Sequence, residues 1–123
     1  MSFKVLLIDD EPDIAEVFKI SLNQGGYEVD TAGDARDGLT LAKQNQYDLF
    51  ILDQMLPDLS GNEILKILKS DEKTKNIPVT MLSNFGHDDM IKGALNAGAV
   101  DYILKYQITP EDFIEKVKDI LSR

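Results

Sequence analysis

The chain has 123 residues, enough for one domain with a hydrophobic core of its own. It contains no cysteine, which excludes disulfides and thiolate metal sites, and its 13 basic and 22 acidic side chains leave a formal charge of −9. That balance disfavours contact with a phosphate backbone, no apolar run is long enough to cross a bilayer, and MSFKVLLIDD lacks the core and cleavage pattern of a secretory signal. A cytoplasmic chain with no direct nucleic-acid contact and no membrane contact is therefore expected.

Strand-like and helix-like patterns alternate five times along the chain. Residues 4–8, KVLLI, form a short apolar run that ends at Asp9 and Asp10. A helical stripe follows in Ile14, Val17, Phe18 and Leu22, closed by Gly25-Gly26 in the manner of a C-terminal cap. Tyr27 to Thr31 reads as the second strand, and Ala35, Leu39 and Ala42 mark a weaker second helix. Residues 48–52, DLFIL, run into Asp53, and Ile64, Leu65, Ile67 and Leu68 outline the third helix. Residues 78–82, PVTML, lead to Ser83, and Ile91, Ala94 and Leu95 precede a capping Gly98. Residues 101–104, DYIL, lead to Lys105. The last helix carries Phe113, Val117, Ile120 and Leu121, with Thr109 as its N-cap, Pro110 in the first helical position and Asp112 at the third. Short apolar runs alternating with helices predict an α/β fold, a doubly wound five-stranded parallel sheet in one domain over residues 1–123.

In such a sheet, chemistry gathers beyond the carboxyl ends of the strands. Four of the five strands end in a chemically capable side chain: Asp9-Asp10, Asp53, Ser83 and Lys105. Each has an ordinary reading alone. Asp10 before Glu11-Pro12 could cap a helix, Asp53 and Ser83 could be turn residues, and Lys105 could be solvated. Those readings do not explain why all fall at the same rim. Clustered carboxylates repel one another and need a cation. Oxygen ligands suit Mg2+, and three carboxylates, one divalent cation and one ammonium carry no net charge. An aspartate can act as a nucleophile toward phosphorus, with the cation and the lysine neutralising charge on the transferring oxygens.

These segments (KVLLIDDEPDI, DLFILDQMLPDLSGNEIL, PVTMLS and AGAVDYILK) resemble, in order and spacing, the receiver domain of bacterial two-component response regulators. The single-domain chemotaxis regulator is one type of that family. The resemblance covers the whole chain. It implies a flavodoxin-like (βα)5 sheet of order 2-1-3-4-5 and a signalling switch rather than a turnover enzyme. It further implies that Asp53 is phosphorylated by a sensor histidine kinase or a histidine phosphotransfer protein. Mg2+ or Mn2+ would be bound by Asp10, Asp53, the main-chain carbonyl of Met55 and, through water, Asp9. Lys105 and Ser83 would contact the phosphoryl oxygens. Ser83 and Tyr102 would be the switch residues, and an unknown output partner would meet the face of the fourth helix, fifth strand and fifth helix.

Two positions depart from the family pattern. Tyr106 stands where proline usually follows the lysine, and a cis bond there would cost roughly 3 kcal/mol. A trans bond or local strain, a less firmly seated Lys105 and a partner contact by Tyr106 are the expectations. Met55 cannot orient an attacking water, so slow self-dephosphorylation is expected. It also occupies the place of the general acid in aspartate-nucleophile phosphatases, which argues against a Mg2+-dependent aspartyl-phosphate hydrolase. The remaining alternative is a scaffold, or pseudo-receiver, that works without phosphorylation. His87 reads as an exposed loop residue, and Lys66, Lys69, Lys73 and Lys75 as a solvated face. With no output segment after residue 123, either a stand-alone regulator or a domain of a longer protein is expected.

Overall fold

Strands that are apolar on every residue need cover on both faces, so they belong between two helix layers. The computed structural model, which describes residues 2–123, has that arrangement. In chain order the elements are β1 (Lys4–Ile8), α1 (Pro12–Gln24), β2 (Glu28–Ala32), α2 (Ala35–Gln44), β3 (Leu49–Leu52), α3 (Gly61–Ser70), β4 (Val79–Ser83), α4 (Asp88–Asn96), β5 (Asp101–Leu104) and α5 (Pro110–Leu121). The strands are all parallel, in the order β2-β1-β3-β4-β5, as expected. Three strands start or end one residue later than the apolar runs implied, at β2, β3 and β4.

Alternation along the strands divides the core in two. Leu6, Ile8, Phe50, Leu52, Val79 and Met81 face the layer of α2, α3 and α4. Val5, Leu7, Leu49, Ile51, Leu82 and Ile103 face α1 and α5. In the second layer Phe18 of α1 meets Phe113 of α5 edge-on, with ring centroids 4.8 Å apart at 70°. Phe113 is fully buried, so truncating it to alanine would cost about 3–5 kcal/mol.

The helix ends follow local chemistry. Thr109 accepts the Asp112 N–H at 3.1 Å, with Pro110 in the first turn. Ser60 and Glu63 form a reciprocal capping box at the start of α3. Gly26 and Gly98, just past α1 and α4, have φ of 95° and 109°, which only glycine adopts readily. The helical stripes are less well forecast. Val17, Ile67 and Leu95 are exposed, while Ala15 takes the core position on α1. On a helix with apolar residues on more than one side, spacing alone does not choose the inward face.

Strand order reverses between β1 and β3, so the crevice at their carboxyl ends is where a site should form. Ile8 pairs with Leu52, and the Asp53 N–H donates to the Ile8 carbonyl at 2.9 Å. Asp9 and Asp53 therefore leave adjacent strands side by side. Ser83 pairs with Leu104, which brings Lys105 to the same rim.

Candidate functional site

Asp9 and Asp53 are buried at the rim, each about 3% exposed, while Asp10 projects into solvent. Asp9 Oδ1 accepts the Glu11 N–H at 2.9 Å, which fixes the turn between β1 and α1. Glu11 is the N-cap residue of α1 but makes no side-chain cap bond, so no acidic side chain of this turn is spent on the helix. The carboxylates of Asp9, Asp10, Glu11 and Asp53 each place an oxygen within 4.8 Å of the others.

Lys105 enters this cluster from the far side of β4. Its Nζ lies 2.7 Å from Asp9 Oδ2, 2.8 Å from Glu11 Oε1 and 3.1 Å from Asp53 Oδ2. Burial by itself would lower the lysine pKa. Hydrogen bonds to Asp9 and Glu11 and the charges of Asp53 and Asp9 outweigh burial and raise it above the ordinary lysine value. Asp9 shifts in the unfavourable direction for a carboxylate: burial raises its pKa, and the hydrogen bonds from Lys105 and Glu11 only partly offset that. The structure corrects one expectation here. Lys105 is firmly seated, with its side chain 4% exposed, whereas the trans peptide to Tyr106 is one of the two outcomes expected. A short 3-10 turn at Lys105–Gln107 follows β5, and Tyr106 within it is exposed.

The residues fit a hard divalent cation. Asp9 Oδ2 is buried, and its one close partner is the Lys105 ammonium at 2.7 Å, which Glu11 and Asp53 share. One ammonium does not balance four gathered carboxylates, and oxygen donors of this kind suit a hard divalent cation. The four acids and one lysine also leave excess negative charge, more than Asp9, Asp10 and Asp53 alone imply. Glu11 accounts for the difference. Its position in the sequence does not mark it, because an acid before Pro12 looks like any residue at a helix start. Its Oε1 also accepts from Asn84 Nδ2 at 3.0 Å, tying the β1–α1 turn to the β4–α4 loop.

The remaining expected residues lie around this centre. Ser83 ends β4 fully buried, and its Oγ accepts the Phe85 N–H at 3.2 Å. Met55 is half exposed, and its N–H points at Asp53 Oδ1 from 3.5 Å. Gly61 opens α3 against the site: a Cβ there would stand 2.3 Å from the Asp53 carbonyl oxygen, so no larger residue fits. Tyr102 is half-buried, and its hydroxyl donates to the Phe85 carbonyl at 2.5 Å. His87 is exposed and makes no side-chain cap bond to α4. Of the lysines read as a solvated face, Lys69 departs from that reading. Its ammonium donates to the carbonyls of Lys75 and Ile77, and burial lowers its pKa.

The family model of the response regulator receiver domain matches residues 5–118. The chain belongs to that family. Among curated relatives, it is 40% identical over 121 residues to the DNA-binding dual master transcriptional regulator RpaA of Synechocystis. It is 36% identical over 119 residues to the phosphate regulon transcriptional regulatory protein PhoB of Pseudomonas aeruginosa. These alignments take in 98% and 97% of the chain but 49% and 52% of the relatives, so the receiver domain spans about half their length. Among solved structures, the chemotaxis response regulator CheY4 of Vibrio cholerae superimposes with a TM-score of 0.90 at 28% identity, over 98% of this chain and 99% of that one. Response regulators are signalling proteins of two-component systems. No helix among the described residues is long and apolar enough to cross a membrane.

Proposed function

We propose that this receiver domain is a phosphoryl-accepting switch, with Asp53 as the acceptor. The observation that carries the reading is the 3.1 Å approach of Lys105 Nζ to Asp53 Oδ2 within a cluster of four carboxylates. An ion pair kept only for stability would not gather three further acids around one lysine.

An Asp53 carboxylate oxygen attacks the phosphorus of a phosphohistidine on a sensor histidine kinase or histidine phosphotransfer protein. An O–P bond forms, the N–P bond breaks, and the electron pair returns to the imidazole nitrogen of the donor. Lys105, already poised at Asp53, neutralises charge on the transferred group. Asp10, Asp53 and the Met55 carbonyl would hold Mg2+ or Mn2+, with Asp9 engaged through water, and the cation would offset phosphoryl charge. The Ser83 hydroxyl then donates to a phosphoryl oxygen, which moves the β4–α4 loop. Tyr102, bonded to the Phe85 carbonyl of that loop, responds with it. The face of α4, β5 and α5 presents the result to an output partner, and Tyr106, in the turn between β5 and α5, is exposed.

The domain works in the cytoplasm as a switch, not as a turnover phosphatase, because Met55 offers no acid or base. The description of RpaA as DNA-binding belongs to a protein about twice this length. A charge of −9 supports a domain that does not itself hold a nucleic-acid backbone.

Intact mass after incubation with acetyl phosphate and Mg2+ tests the reading. One phosphoryl group is expected on the wild type, and none on Asp53→Asn or in the presence of chelator. Phosphorylation of Asp53→Asn would place the chemistry on another residue. A metal-loaded wild type that stays unmodified by both acetyl phosphate and phosphohistidine donors would favour the scaffold alternative.

A further inference from the structure

Gln54 follows the acceptor directly and is 2% exposed, yet nothing in phosphoryl transfer requires it. Its main-chain carbonyl accepts the Gly61 N–H at 2.7 Å, and its Oε1 accepts the Asn62 N–H at 2.9 Å. Both donors belong to the first turn of α3. Its Nε2 donates to Asn62 Oδ1 at 3.0 Å and reaches the Tyr102 hydroxyl at 3.4 Å. Asn62 Nδ2 in turn approaches the Met90 carbonyl of α4 at 3.4 Å.

We propose that Gln54 is a positioning residue that couples the orientation of Tyr102 to the first turn of α3, and through Asn62 to α4. This deepens the switch reading and rests on it. A carboxamide is planar, so its oxygen and its nitrogen cannot be re-aimed independently. While Tyr102 holds its place, both Nε2 hydrogens have a partner. When Tyr102 turns away, a buried N–H loses its partner, and that loss carries a desolvation penalty. The amide then rotates, and the bonds to Asn62 rotate with it. Filling space alone would need only an apolar side chain here, as Ile51 and Leu52 provide just before it. The contact to Tyr102 is also longer than the two to Asn62, as suits a bond that is made and broken while the others persist. Signal thereby leaves the acceptor by two routes. One runs through Ser83 and the β4–α4 loop, the other through Gln54 and α3.

The test uses the full chain, labelled with 15N, by NMR in the resting state. Tyr102→Phe removes the hydroxyl and is expected to shift the Gln54 side-chain amide pair and the Asn62 backbone amide. In a Gln54→Leu background, the same Tyr102→Phe change is expected to leave the Asn62 amide in place. A Gln54 side-chain amide that ignores Tyr102→Phe overturns the proposal, as does an Asn62 shift of equal size in both backgrounds. Should Gln54→Leu fail to fold, the first comparison decides alone, since it needs only the single variant. Beryllofluoride with Mg2+, which mimics a phosphoryl group, separates this from the underlying reading. It is expected to move the Gln54 and Asn62 signals of the wild type. A response elsewhere that bypasses both signals overturns the coupling route. No response at any residue overturns Asp53 as acceptor, while the resting-state comparison still decides whether Gln54 links Tyr102 to α3.

Discussion

Lys105 Nζ stands 3.1 Å from Asp53 Oδ2, so the lysine after β5 reaches across β4 to the carboxylate after β3. Neither side chain is more than 5% exposed, and Asp9, at 2.7 Å from the same ammonium, is fully buried. Removing one partner of such a cluster strands the others in a poorly hydrated place. Lys105→Met keeps most of the volume and removes the charge. In chelator at neutral pH it should destabilise the domain by about 3 kcal/mol, and adding Asp9→Asn should restore part of that. Urea unfolding measures both. A loss well below about 1 kcal/mol would show that the acids do not depend on the lysine.

Divalent metal should compensate for the same excess charge. At ten times its dissociation constant, Mg2+ should stabilise the wild type by about 1.4 kcal/mol, a rise of roughly 4–6 °C in melting temperature. Asp10 is exposed, so Asp10→Asn should cost little stability in chelator yet remove most of the Mg2+ effect. An equal Mg2+ effect in both proteins would place the cation away from Asp10.

The site was legible in the sequence to the extent that parallel register made it so. Asp9, Asp53 and Lys105 each follow the last residue of a strand and Ser83 ends one, and a parallel sheet brings such positions to one rim. Glu11 and Gln54 are not legible in the sequence, for physical reasons. Glu11 precedes a proline at a helix start, where acids are common on dipole grounds alone. Gln54 sits in a segment that reads as loop, and only the return of α3 over it, at a distance no Cβ on Gly61 would allow, buries it. The seating of Lys105 is not legible from the residue after it, because contacts to Asp9, Glu11 and Asp53 hold its ammonium. Asp58 was equally unreadable: its carboxylate accepts the N–H groups of Ala35 and Arg36 at 2.9 and 3.0 Å, capping α2 from a loop 22 or more residues away. Those backbone hydrogen bonds hold the pKa of Asp58 below the usual carboxylate range.

Met55 should set the lifetime of the phosphorylated state. Its side chain is 48% exposed beside Asp53, cannot donate to an attacking water and is only a weak acceptor. Met55→Asn supplies both functions and should shorten the half-life of phospho-Asp53 by roughly tenfold, with the rate of phosphorylation by acetyl phosphate little changed. Decay followed by intact mass gives the answer. Equal half-lives would mean that water is positioned by another group.

Alkaline pH should expose a separate weak point at the opposite end of the sheet from the site. The Tyr47 hydroxyl donates to Asp30 Oδ2 at 2.6 Å, and its ring is 4% exposed. Burial first, then the hydrogen bond and charge of Asp30, raise its pKa above the ordinary 10.0. A group whose pKa is raised by folding holds its proton in the native state where the unfolded chain has already lost it. Its contribution is therefore complete below about pH 10 and declines as pH rises beyond that, at up to about 1.4 kcal/mol per pH unit. Tyr47→Phe removes both the hydrogen bond and the titration. Near pH 8 the variant should be less stable than wild type by about 1 kcal/mol, the worth of one partly exposed hydrogen bond. Above pH 10 that gap should close, because only the wild type still has the Tyr47 proton to lose on unfolding. Urea unfolding of the two proteins at pH 8, 10 and 11 isolates the effect, since every other alkaline titration is common to both. A gap that stays constant across this range would mean that Tyr47 titrates alike in the folded and unfolded chains.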